Sequence, residues 1–170
     1  MKELQWHCFE RQIYIHGELG HLYKLWSTEN GLTSWFLKKA EFYNSQNEKR
    51  AQNEGFQKGD TYTWGWHNWD HAENGSILEA NGKDYIVFTF DVSKVSVSLE
   101  ERGEVVLVKL IQYDIPEDEE HKFKLHFGCS NGWTFWLTNL KAYVEHGILL
   151  NEKEIDLRGN ELAGYVFVNM

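Results

Sequence analysis

Hydrophobic positions along the chain recur first at every second residue, then at every third or fourth, then at every second again. Phe9, Ile13 and Ile15 alternate with Glu10, Gln12 and Tyr14, which predicts a half-buried strand from Phe9 to Gly17. Leu19, Leu22, Leu25 and Trp26 then fall on one face of a helix. A second short helix is predicted near Thr28 to Phe36, with Ser27 or Thr28 as N-cap and Leu32, Trp35 and Phe36 buried. From Asn44 to Gly59 the chain is almost wholly polar and reads as a loop.

Alternation then resumes. Strands are predicted at Tyr62 to Trp69, Gly75 to Ala80 and Asp84 to Val92. Val95, Val97 and Leu99 share one face of a fourth, and "EVVLVKLIQ" forms a fifth. Asn81–Gly82 reads as a two-residue hairpin turn, and Arg102–Gly103 turns the chain again. Strand signals at intervals of about ten residues, joined by tight turns, describe an antiparallel meander.

After the acidic turn Ile115 to His121, which holds the only proline, comes the strongest helical pattern. Trp133, Trp136, Leu137, Leu140, Tyr143, Val144 and Ile148 recur at three- and four-residue steps, opposite Thr134, Thr138, Lys141 and Glu145, and Gly147 is a natural stop. Two readings of its start stand side by side: a loop over Gly128 to Gly132, or a helix passing through both glycines. Tyr165 to Val168, "YVFV", is strand-like and could pair with a sheet edge in this chain or in a second copy.

The 170 residues suit one domain with a single core. Aromatic residues make up 15%, enough to fill volume quickly or to line a cavity. A net charge of −9 disfavours nucleic acid and anionic membrane surfaces as partners. No apolar run approaches the roughly 18 residues of a membrane span, and "MKELQWHCFERQ" has no apolar signal core, so a cytoplasmic protein is expected. Cys8 and Cys129 make no disulfide framework and no zinc spacing.

The stretch "YTWGWHNWDH" concentrates candidate chemistry. His67 and His71 are four residues apart, a metal-binding spacing on a helix. On a strand that spacing is about 13 Å at ~3.3 Å per residue. One zinc with bonds of roughly 2 Å cannot bridge it, unless a turn near Asp70 shortens the gap. Solvent-facing histidines at a strand end are the simpler reading. Strand alternation instead brings Tyr62, Trp64 and Trp66 onto one face, pointing inward toward Trp133, Trp136 and Leu140. Phe88, Phe90, Trp35 and Phe36 are further wall candidates. Tyr62 and the indole N–H groups could orient a ligand.

Nothing resembles a nucleophile elbow, a P-loop or a dinucleotide fingerprint, so neither catalysis nor a cofactor is expected. Cys129 would be an activated thiol only if a helix began just after it; otherwise it is inert. Glu73, Glu79 and Asp91 read most simply as solvated. The run Glu117 to Glu120 reads as a solvated loop, with a basic partner as the alternative.

Three motifs carry a resemblance. "IYIHGELGHLYKLWSTENGLTSWF" (Ile13 to Phe36), "KGDTYTW" (Lys58 to Trp64) and "GWTFWLTNLKAYVEHG" (Gly132 to Gly147) resemble, in order and spacing, START-like (Bet v 1-like, SRPBCC) proteins. The branch is the one named after the activator of the heat-shock protein 90 ATPase. The resemblance covers roughly residues 9 to 150. It implies an α+β helix-grip fold, a curved antiparallel sheet wrapped around a long C-terminal helix, with two short helices after the first strand. The space between sheet and helix is then either a packed aromatic core or a cavity, and the resemblance favours a cavity. Most such relatives stop shortly after the final glycine; here some twenty residues follow.

The expectation is a helix-grip domain over 1–150 and an extension, 151–170, packed on it or in a dimer interface. Its function is non-enzymatic binding of a small, largely apolar molecule. The ligand-binding candidates are Trp35, Tyr62, Trp64, Trp66, Phe88, Phe90, Trp133, Trp136 and Leu140. The alternative is a stress-related, co-chaperone-like module that binds a chaperone partner.

Overall fold

The computed structural model describes residues 5–169. The chain runs β1 (Cys8–His16), α1 (Leu19–Ser27), α2 (Glu29–Trp35), β2 (Lys39–Tyr43), β3 (Thr61–Gly65), β4 (Ala72–Ala80), β5 (Tyr85–Phe90), β6 (Ser93–Arg102) and β7 (Val105–Tyr113). A single turn, Glu119–His121, then leads through a π-helical stretch, Lys122–Cys129, into the long helix α3 (Ser130–His146). A last short helix, α4 (Ala163–Val166), lies near the C-terminus.

The strands form one antiparallel sheet in the order β1-β7-β6-β5-β4-β3-β2. One face buries Ile15, Val97, Val108, Leu110, Ile86, Phe88 and Trp64 against α3 and the two short helices. This is the α+β helix-grip architecture.

Alternation explains the inward set. On β7, Val106, Val108, Leu110 and Gln112 all point into the core. Gln112 is fully buried, yet both ends of its amide are satisfied. Its Nε2 donates to Ser93 Oγ at 2.9 Å, and its Oε1 accepts from Trp133 Nε1 at 3.0 Å. On β3, Tyr62 crosses over Gly75 of β4, where a Cβ would come within 2.5 Å of its ring. A larger residue at 75 would therefore displace that ring.

Helix α3 also covers the edge strand β1. Lys141 Nζ donates to Tyr14 O at 2.8 Å, and Glu145 Oε1 accepts from the His16 amide at 2.7 Å. These contacts use an edge that would otherwise offer unpaired backbone groups. Thr28 caps α2 by accepting from the Gly31 amide at 2.9 Å. The polar loop after β2 is held by Arg50, whose Nη2 donates to the buried Asp60 carboxylate at 2.9 Å.

Several expectations change. The strand from Tyr62 ends at Gly65, so Trp66 to His71 form a loop. Asn81–Gly82 is part of a longer turn, in which Asn81 Oδ1 accepts from the amides of Lys83, Asp84 and Tyr85. The helix passes through Gly128 and Gly132 rather than beginning after a loop. Lys39–Tyr43 is a further strand, not among those the sequence predicts.

Residues 165–166 belong to α4 and 167–168 to coil, so "YVFV" is not a strand. After Gly147, whose φ of +67° ends α3, the tail turns back over the domain. Buried Asn139 anchors the turn: its Nδ2 donates to Trp35 O at 2.5 Å and its Oδ1 accepts from the Leu150 amide at 2.6 Å. Further on, Asn68 and the tail exchange bonds. Asn68 Nδ2 donates to Ile155 O, and the Leu157 amide donates to Asn68 O, both at 3.0 Å. Tyr165 packs tilted against Phe123 with centroids 4.6 Å apart and leaves no room for a side chain at Gly128.

Candidate functional site

A cavity of about 1150 Å³ lies between the sheet, α3 and the tail. Trp133 and Trp136 come from α3, Phe90 from the end of β5, Phe36 from the end of α2, and Trp66 from the loop after β3. The tail closes one side with Leu157, Ala163 and Tyr165. The rings brace one another. Phe36 meets Trp136 edge-on at 4.8 Å and Trp66 at 6.2 Å, and Phe90 lies 5.7 Å from Trp133. Such contacts fix ring orientation as well as burying area.

Polar groups share the wall with these rings, among them Glu73, Asp91, Lys124, Asn131, Thr134 and Arg158. Glu73 on β4 is buried, and its Oε1 accepts from the Asp91 amide at 2.7 Å. Lys124 Nζ lies 3.2 Å from Asp91 Oδ2. Cys129 sits on the π-helical stretch, its Sγ 3.8 Å from Lys124 O. Burial pushes its thiol up to about 12. It is a neutral thiol near pH 7, inside a continuous helix with no free N-terminus beside it, so nothing activates it as a nucleophile.

The nine predicted site residues divide. Trp66, Phe90, Trp133 and Trp136 line the cavity together. Trp35, Tyr62, Trp64, Phe88 and Leu140 stand behind that wall in the packed core, each 2% exposed or less. Tyr62 turns its hydroxyl away from the cavity, donating to Thr89 O at 2.5 Å, and Trp35 Nε1 donates to Leu25 O at 3.1 Å. Trp64 Nε1 has no acceptor among the described residues. The predicted set thus splits between the packed layer around Trp64 and the wall residues around Trp133.

Glu73 is the wall residue that sequence reasoning misplaced. It is not solvated. The signal was present in the alternation Glu73, Gly75, Ile77, which puts all three on the side that faces Tyr62 and Trp64. His71 remains exposed, its ring 5.8 Å from that of Trp66 and its Nε2 3.7 Å from Glu73 Oε2. Among the described residues no three His, Cys, Asp or Glu side chains gather as a metal site.

The family model for Activator of Hsp90 ATPase homolog 1-like protein matches residues 19–145. The chain belongs to this family. No curated protein matches the sequence. Among solved structures the chain is similar to protein SSP2350 from Staphylococcus saprophyticus, at 18% identity and a TM-score of 0.66, covering 84% of this chain and 94% of that one.

It is also similar to the Aha1 dimer from Colwellia psychrerythraea, at 16% identity and a TM-score of 0.65, covering 82% and 97%. A third is EF2215 from Enterococcus faecalis, a conserved protein of unknown function, at 17% and 0.65, covering 88% and 77%. At these identities the likeness is one of fold. The match to the Activator of Hsp90 ATPase homolog 1-like family ends before the tail, so the tail's share of the cavity wall lies outside the matched region.

Proposed function

We propose that the protein binds a small, largely apolar molecule, without chemical turnover, in the cavity between the sheet and α3. The observation that carries this is the cavity itself, about 1150 Å³ with walls built from Phe36, Trp66, Phe90, Trp133 and Trp136. Ligand pockets commonly reach about 300–1,000 Å³ and are mostly apolar with a few placed polar groups. Tyr62, Trp64 and Phe88 then act as a second layer that keeps the wall rings in place. Native mass spectrometry of the protein purified from its own host tests the reading. A co-purifying small molecule lost on denaturation is expected; bare chain mass throughout would count against it.

A second reading, contact with another protein, is favoured by a different observation. Phe123 and Phe127 stack on the π-helical stretch, about half exposed, and Val166 and Val168 stand exposed on the adjoining tail. An apolar strip of this kind suits a second copy of the chain or a chaperone partner. Native mass separates the first case: a dimer that Phe127→Glu converts to monomer is expected, and a monomer at tens of micromolar would reject it. Calorimetry against the chaperone decides the second case by the presence or absence of binding heat.

A further inference from the structure

We propose that the cavity selects an apolar molecule carrying a protonated amine, and that Glu73 is the residue that recognises the amine. This rests on the ligand-binding reading above and names the chemical class of the ligand.

Glu73 pairs with Trp64 across the β3–β4 ladder, and its side chain, 10% exposed, reaches the cavity wall beside Trp66, Phe90 and Trp133. Only one of its oxygens is used by the fold. Oε1 accepts from the Asp91 amide. Oε2 accepts no hydrogen bond among the described residues, and the nearest cation-capable group, His71 Nε2, stands 3.7 Å away.

Oε2 is not sealed inside the fold: it opens on the cavity, where a ligand donor can reach it. The cations that share the rim are already engaged: Lys124 with Asp91, and Arg158 with Asp156 and Asp70. Glu73 is thus the buried wall charge with an open acceptor. An ammonium placed there would meet Oε2 beside the wall rings Trp66, Phe90 and Trp133. That combines a charge-assisted hydrogen bond with cation–π attraction. The chain's net charge of −9 likewise favours a cationic ligand.

The test uses three matched probes on the full chain: 1-naphthylmethylamine, 1-naphthalenemethanol and 1-naphthoate, titrated by quenching of tryptophan fluorescence. The amine should bind about tenfold more tightly than the alcohol, and the carboxylate more weakly still. Glu73→Gln, which keeps an oxygen for the Asp91 amide, should remove the amine's advantage and leave the alcohol unchanged. Should that variant fail to fold, Glu73→Asp withdraws the charge by one methylene and should weaken the amine about threefold while sparing the alcohol.

Equal binding of all three probes would overturn this inference and leave the cavity reading standing. An amine preference that survives loss of the Glu73 charge would overturn the assignment to Glu73. Absence of binding by every probe would overturn the inference together with the cavity reading.

Discussion

Gln112 and Trp133 meet across the sheet–helix interface, the indole N–H donating to the side-chain carbonyl oxygen at 3.0 Å. Because Ser93 Oγ holds the other end of the same amide, one buried side chain links β6, β7 and α3 behind the cavity. Gln112→Leu preserves volume but strands the indole donor. It should destabilise the fold by about 1–3 kcal/mol. Urea unfolding checks this, and an unchanged midpoint would mean that the link contributes nothing net.

The reciprocal bonds between Asn68 and the tail segment Ile155–Leu157 hold one wall of the cavity in place. Asn68→Ala removes the side-chain bond to Ile155. Local opening of the tail should become about tenfold more populated, a loss of ~1.4 kcal/mol. Limited trypsin digestion reads this at Lys153 and Arg158, while the rest of the chain stays resistant. Equal digestion of variant and wild type would contradict it.

His67 titrates beneath the same tail. Burial first, then the charges of Lys153 and Lys38, holds its imidazole below the ordinary value. The folded state therefore favours the neutral ring, and the unfolded chain takes up the proton first as pH falls. The stability that His67 contributes is present above its unfolded pKa of about 6.5 and is lost as pH drops through the lower folded value. The urea midpoint should fall between pH 7 and 5, and fall less in His67→Gln. Identical pH slopes in the two proteins would refute the point.

Cys8 and Cys129 should differ sharply toward an aromatic disulfide reagent at pH 8. Both residues are partly exposed, Cys8 at the start of β1, but burial of the Cys129 thiol itself pushes it up to about 12. One thiol should react promptly and the second only after denaturant is added, because the thiolate is the reactive form. Two prompt thiols would show that this wall of the cavity opens freely.

Much of this architecture was legible because alternation and helical spacing are strong over long segments. The nine residues of β7 and the face of α3 through Trp133, Trp136 and Leu140 are examples. What stayed hidden was short or local. β2 has only five residues, and the apolar run 165–168 fits a turn of helix as well as a strand. Trp66 was expected on the strand face of Tyr62 and Trp64. It reaches the cavity instead from a loop, because β3 stops at Gly65. No periodicity separates a ring that lines a cavity from one in the layer behind it. That distinction, between Trp133 and Trp64, depends on how neighbouring elements pack.

That distinction also supplies the most direct measurement. Indole N–H resonances, assigned by single Trp→Phe replacements, can be followed by NMR as 1-naphthalenemethanol is added. Trp66 and Trp136, on the cavity wall, should shift most and saturate together, whereas Trp26 and Trp35, each 1% exposed in the packed core, should move little. Unmoved Trp66 and Trp136 resonances at millimolar probe, or equal shifts at all the indoles, would contradict a binding cavity between sheet and helix.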